Sequence, residues 1–234
     1  MQEETLEEFR QMKKEEKARM TAMQKLPYEV KIKRAERRAW EFVEKLDDMG
    51  LNAHVSVGGL DSITLLLFLR KIGLDIPAVS VSVLEDMSIQ RVHTELGVIK
   101  LRPDKSKVKI LNEVGFPVIS KKIAGRIDTL QHPTDKNKIV RHAIITGECG
   151  AQGHYAKNSR MKLPQKWMNL FGGYENENEG VNYGKPDFLV SNKCCQFLKE
   201  EPCDKWAKEH NSAPFLGLMA SEGGQREEAL VEHG

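Results

Sequence analysis

The chain has 234 residues, with 36 Lys and Arg against 34 Asp and Glu, a formal charge of +2 and 40% hydrophobic residues. That is a globular composition, and its near-zero charge argues against a general nucleic-acid or membrane-surface binder. No run approaches the roughly 18 apolar residues of a membrane span. The acidic start (Glu3, Glu4, Glu7, Glu8) is unlike a signal peptide. Four cysteines, two of them adjacent, do not form a secreted disulfide framework, so the expected location is the cytoplasm, with no membrane partner.

Residues 1–26 are charged and mixed in sign, with Leu6, Phe9, Met12, Met20 and Met23 at rough helical spacing. This reads as an amphipathic helix that needs a partner surface, either the domain itself or a second copy of the chain. Pro27 breaks the run. A second helix begins near Tyr28, with the stripe Ile32, Ala35, Ala39, Phe42, Leu46 and Met49, and Gly50 closes it. From there strands and helices alternate. The expected elements are a strand over 52–57, a helix over 62–72 that is apolar nearly all round, a strand over 77–84, a helix over 87–96 and a strand over 98–101. Such alternation implies right-handed crossovers and a parallel sheet. Helical spacing recurs over 105–115, 123–130 and 138–146, with an extended piece at 116–120. Residues 147–190 are rich in Gly, Asn, Tyr and Pro and read as an insertion-like loop region with one helix over 165–171. A helix over 193–210, a strand over 214–219 and a helix over 226–233 complete an α/β chain.

The strongest local pattern is Val57-Gly58-Gly59-Leu60-Asp61-Ser62, between a strand and a buried helix. Two glycines let the backbone turn tightly and bring its amides close to an anion. Asp61 and Ser62 are expected to cap the helix, whose N-terminal amides and dipole favour phosphate. The pattern is neither GxxxxGK[ST] nor GxGxxG. A plain strand-to-helix turn remains the alternative.

The segment NAHVSVGGLDS resembles the SGGxDS PP-loop of the adenine-nucleotide α-hydrolase-like superfamily, with Val57 in place of the usual Ser. Within that superfamily the chain is similar to the PAPS reductase-like family over roughly residues 50–230, on three further segments. SNKCCQFLKEEP (191–202) resembles a CCxxxKxxP segment. GLMASEGGQR (217–226) resembles GlRxxxSxxR, with Met219 in place of an Arg. FPVISKK (116–122) resembles PVISK. The resemblance implies a three-layer sandwich with a mostly parallel twisted sheet, carrying an N-terminal helical extension over 1–49 and the PP-loop domain over 50–234. It implies that Gly58, Gly59, Asp61 and Ser62 hold the phosphate or sulfate of an adenine nucleotide (ATP, APS or PAPS). Glu222, Gly223, Gly224 and Arg226 would join them, with Lys121 and Lys122 as lesser contributors. A bias of eleven Lys and Arg to four Asp and Glu between Lys100 and Arg141 suits an anionic ligand, and suits a solvated basic face equally.

By the same resemblance Cys194 and Cys195 would ligate a [4Fe-4S] cluster, with nearby Lys193 and Lys199 favouring the thiolates. Cys149 and Cys203 are the remaining thiols that could complete four ligands. Cys203 lies nine residues beyond Cys194, about two and a half helical turns away, and packing thiols are the competing reading. His54 is expected in the core or at a sheet end, and His93 on an exposed helix face. Glu85-Asp86 falls just past the second strand, where it could receive a ribose or a metal, or Asp86 could cap the next helix.

Three functions follow. The first is a sulfonucleotide reductase-type enzyme or a fragment of one, served by a thioredoxin-like reductant; the reductases' C-terminal catalytic cysteine has no counterpart before Gly234. The second is an ATP-dependent adenylating enzyme of the ATP pyrophosphatase or sulfurtransferase type, with Mg²⁺ bridging pyrophosphate near Asp61 or Glu85. The third is a non-catalytic nucleotide-binding module that associates through its N-terminal helices.

Overall fold

The computed structural model of the protein describes residues 2–148, 161–173, 175–176, 181–184 and 186–218. The chain divides into two compact units, residues 1–102 with the segment from 203 onward, and residues 103–202.

The first unit opens with two helices, α1 (Gln2–Gln24) and α2 (Tyr28–Asp48). Then come β1 (Asn52–Ser56), α3 (Leu60–Lys71), β2 (Ala78–Ser80), a 3₁₀ turn (Ser82–Leu84), α4 (Met87–Glu95) and β3 (Ile99–Lys100). After residue 203 the chain returns through the last helix of the described residues, Glu201–Glu209, and the strand Ser212–Leu216. The four strands form one parallel sheet in the order β3, β2, β1 and the 212–216 strand. Register pairs Val55 with both Ala78 and Phe215, so these side chains share a face. That face is closed by Ala39 and Val43 of α2, by Ile63, Leu66 and Leu69 of α3, and by Val92 and Leu96 of α4. Phe42 meets Phe215 edge-on at 4.8 Å. Leu66 and Leu69 are fully buried, and each such side chain contributes about 1.5–3 kcal/mol by leaving water. On the opposite face His54 meets Trp206 of the 201–209 helix at 5.1 Å, edge to face. The expected α/β class with a parallel sheet is therefore present. Among the described residues no helix is long and apolar enough to cross a membrane.

The second strand is shorter than its VSVSVL run suggests. After Ser80 the chain turns into the 3₁₀ segment, because Ser82 is drawn inward to a buried partner, His93, at 2.8 Å. α2 belongs to the sheet's own core through Ala39 and Val43, and Gly50 closes it at φ +68°.

The second unit contains α5 (Lys107–Val114), α6 (Lys121–Gln131), α7 (Lys138–Thr146) and α8 (Gln165–Phe171). They are followed by the antiparallel pair β4 (Glu175–Asn176) and β5 (Val181–Asn182), and by a π-helical turn over Gln196–Glu200. The 201–209 helix is α9, and the strand Ser212–Leu216 is β6. Ala124, Ile127, Leu130, Ile144, Leu163, Met168 and Val190 make a core of this unit's own. The stretch 147–190, expected as a loop region, thus supplies three members of that core and a short ribbon, because its few apolar residues are spaced to reach it. The extended piece at 116–120 reduces to one bridge between Phe116 and Val190. Gly115 makes it possible, at φ +103°, since a Cβ there would lie 2.8 Å from the Leu189 carbonyl. Ile119 then takes φ +63°, in the left-handed region that β-branched residues avoid, and Ser120 caps α6.

His54 carries a pH signature of the sheet unit. Its Nδ1 lies 2.7 Å from the Ser212 hydroxyl and the ring is buried. Burial pushes its pKa below 6.5, and neighbouring His210 adds to the shift. Such a group binds fewer protons folded than unfolded. Its stabilisation is therefore complete above the unfolded value of about 6.5 and is lost as pH falls below it. Urea midpoints are expected to decline between pH 6.5 and 5, and less steeply in His54→Gln; equal slopes would assign the decline to other groups.

Candidate functional site

The sheet runs outward from β1 in two directions. The chain passes from β1 through α3 to β2 on one side, while β6 returns from elsewhere to lie on the other. Ligands of open parallel sheets bind at the carboxyl edge where the order reverses in this way, here between the ends of β1 and β6. The residues at those two ends are Val57-Gly58-Gly59 and Gly217.

The local geometry explains both sets of glycines. A Cβ on Gly217 would lie 2.8 Å from both Cα and N of Ser62 and 3.1 Å from the Asp61 carbonyl carbon. The end of β6 therefore runs directly against the first turn of α3, an approach only glycine allows. Gly59 is the N-cap of α3 with extended backbone, and a Cβ there meets nothing within 4 Å. Gly58 faces the Glu85 carboxylate, whose Oε1 would lie 3.7 Å from an added Cβ.

Ser62 corrects the capping expectation, because no side chain caps α3. Its hydroxyl accepts the Gly58 N–H at 2.8 Å and donates to the Gly59 carbonyl at 2.9 Å, folding back into the loop. Asp61 lies in the exposed first turn. The N–H groups of Gly59, Leu60, Asp61 and Ser62 precede the first α3 hydrogen bond, Ile63 N–H to the Gly59 carbonyl, so they have no acceptor within the helix. Ser62 is buried against Gly217, so the groups that could meet an anion are those of the exposed Gly59, Leu60 and Asp61.

His93 is a second correction. It is fully buried, not on an exposed face. It bonds the Gly58 carbonyl through Nε2 at 2.9 Å and Ser82 through Nδ1 at 2.8 Å. The signal was present in the sequence: Ile89, Val92, His93 and Leu96 follow i, i+3, i+4, i+7, the inward stripe of α4. Asp86 is the N-cap of α4, accepting from Ser88 N–H at 2.8 Å. The Ser88 hydroxyl and amide hold its carboxyl below the usual range.

Lys121 and Lys122 occupy the exposed first turn of α6 in the second unit. Glu222, Gly223, Gly224 and Arg226 lie outside the described residues, as do Cys149 and the expected 226–233 helix. Cys194 is buried and Cys195 half-buried beside it, while Cys203 belongs to α9. The expectation of thiolates favoured by Lys193 is corrected. Lys193 Nζ is 2.9 Å from Asp128, and burial, then the adjacent Cys195, push the Cys194 thiol up, with Lys121 pulling only weakly the other way. Among the described residues no three His, Cys, Asp or Glu side chains gather as a metal site requires. The pair supplies two sulfur donors, short of the four a [4Fe-4S] cluster takes.

A cavity of about 440 Å³ opens at the other, amino edge of the sheet, lined by Val43, Asn52, Pro77, Trp206, His210 and Ser212 among others. It is at the far end of the strands from the glycine loop. Comparison of the chain with protein-family models, with curated proteins and with solved structures yields no match in any of the three.

The two glycine positions separate by substitution. Gly217→Ala is expected to lower stability by about 1–3 kcal/mol, since backbone must move to admit the methyl group. Gly59→Ala, entering open space, should cost less than about 1 kcal/mol. Urea denaturation of both variants checks this, and equal costs would refute the close approach of β6 to α3.

Proposed function

We propose that the chain binds an adenine nucleotide, with the phosphate or sulfate held by the loop 58–62 at the carboxyl edge of the sheet. The observation that carries this reading is the meeting of Gly217 with the Ser62 backbone. It brings two strand ends to one helix start and leaves the Gly59, Leu60 and Asp61 amides as donors for an anion. The fold this reading implies is the adenine-nucleotide α-hydrolase-like sandwich, and the family is the PAPS reductase-like one. Its reaction is then thiol-dependent reduction of adenylyl sulfate, or of its 3′-phosphate, to sulfite and AMP or its 3′-phosphate. A thioredoxin-like protein would serve as reductant. Lys121, Lys122, Glu222, Gly223, Gly224 and Arg226 are proposed as further anion contacts.

Chemically, the loop's part is to bind and orient. Backbone dipoles aimed at the anion hold its charge without carrying a proton of their own. Ser62 cannot serve as a free hydroxyl ligand while it spans Gly58 and Gly59. Val57, where the family carries Ser, offers none either. An iron–sulfur cluster would draw on Cys194 and Cys195 as two of its sulfur ligands.

One observation favours a second reading, ATP-dependent adenylation of a substrate. The Glu85 carboxylate faces Gly58, where it would repel a bare anion and would suit a divalent ion carried by the ATP pyrophosphate.

Calorimetry with ATP, AMP, APS and PAPS is expected to show binding of at least one of them. Heats for APS or PAPS without ATP turnover support the reductase reading, and pyrophosphate release from ATP supports the adenylating one. Silence with all four rejects both. Gly59→Asp, whose side chain enters open space, is expected to weaken binding at least about hundredfold by placing a carboxylate against the anion, with the thermal midpoint nearly unchanged. Unchanged affinity would contradict the cradle.

A further inference from the structure

His93 is buried completely, both ring nitrogens are engaged, and the nucleotide reading assigns it nothing. The chemistry of its carbonyl partner fixes where one proton sits. A carbonyl oxygen only accepts, so the nitrogen 2.9 Å from the Gly58 oxygen, Nε2, carries the proton. In the neutral ring Nδ1 is then an acceptor, and the Ser82 hydroxyl, 2.8 Å away, donates to it. The result is a directed chain from the 3₁₀ turn after β2, through His93 of α4, to the loop that follows β1.

The bond to Gly58 has a consequence for the next amide. The Gly58 C=O and the Gly59 N–H belong to one trans peptide, in which they point in opposite directions. Drawing the carbonyl inward to a buried imidazole turns the Gly59 N–H outward to the mouth of the loop. With glycine on both sides of this peptide, a flip meets little steric resistance. A flipped peptide would present an oxygen, the negative end of the dipole, to an incoming anion. The preceding N–H cannot compensate, since it is held by Ser62.

We propose that His93, as the neutral Nε2–H tautomer, is the positioning residue of the anion loop, holding the Gly58–Gly59 peptide in the one orientation that offers a donor to phosphate or sulfate. This rests on the nucleotide reading of the loop. The loop's affinity is then set in part from the 3₁₀ turn after β2, through Ser82, and not by the glycines alone.

The test uses the difference between two near-isosteres. Gln at position 93 places its amide nitrogen near the Nε2 position and keeps a donor for Gly58. Asn reaches only the Nδ1 position and keeps the Ser82 contact alone. Calorimetry with ATP, APS and PAPS on full-length protein is expected to give His93→Gln within about threefold of the wild type. His93→Asn should bind at least about tenfold more weakly, as expected for loss of one ordering hydrogen bond, at a thermal midpoint similar to that of His93→Gln. Equal affinities in the two variants, whether strong or weak, would overturn the proposal, because a packing role does not distinguish them. If the wild type binds none of the nucleotides, the functional reading fails with it; if the wild type binds and His93→Asn binds as well, only the His93 inference fails. Nitrogen-15 NMR of the imidazole provides an independent arm should His93→Asn not fold. A protonated Nε2 and an unprotonated Nδ1 are expected, and the opposite tautomer would overturn the assignment.

Discussion

The backbone of β6 runs against the backbone at the start of α3, and much of the first unit follows from that approach. Gly217 has no room for a methyl group beside Ser62, so the edge of the sheet and the helix start are fixed relative to each other by contact, not by side-chain adjustment. The helix behind them is apolar on most of its circumference, with Ser62, Ile63, Leu66 and Leu69 all buried. It therefore cannot slide or rotate to relieve a clash without exposing core surface. A rigid helix start is what an amide-lined anion site needs, since donors held in place require no reordering when the ligand arrives.

That rigidity uses up polar groups, and the distribution of what remains is informative. Gly58 donates to Ser62 and accepts from His93, so both ends of its neighbourhood are tied inward. Ser62 bonds within the loop at donor and acceptor alike. The unspent donors are the amides that follow, Gly59 to Asp61, and the nearby charge is the carboxylate of Glu85. Any helix start leaves such donors; what sets this one apart is the absence of a side-chain cap and the close approach of Gly217. A cation at Glu85 and an anion on the amides would complete each other.

How much of this was legible in the sequence depends on the range of the interaction. Local periodicity located α4, α7 and α8 within a residue or so, because an amphipathic stripe is written into consecutive residues. The glycine turn was legible for the same reason. The second unit's independent core was not: Leu163, Met168 and Val190 sit in a stretch dominated by Gly, Asn and Tyr, and only their convergence on α6 and α7 gives them meaning. Capping is the common use of Ser at a helix start, but α3 begins two residues earlier, at Leu60, and Ser62 lies within its first turn. Its hydroxyl instead accepts from the Gly58 amide, a choice of donor that local sequence does not encode. His93 is different again. Its position on the inward stripe was readable, but a polar residue invites an outward reading unless its buried partners, Ser82 and the Gly58 carbonyl, are known.

The cysteine pair and the glycine loop treat negative charge in opposite ways. At the loop, backbone dipoles converge with no side-chain cap of their own to satisfy them, and an anion lowers the energy of the arrangement. At Cys194 burial and the neighbouring thiol both disfavour a negative sulfur, with Lys121 the one cation that opposes them, while Lys193, adjacent in sequence, is committed to Asp128. A negative sulfur at Cys194 is therefore disfavoured, and its buried side chain packs as a small apolar group in the second unit. The two features, which the sequence presents as parts of one motif set, therefore make separate physical demands. The loop amides favour negative charge as they stand, whereas burial works against a negative sulfur at Cys194.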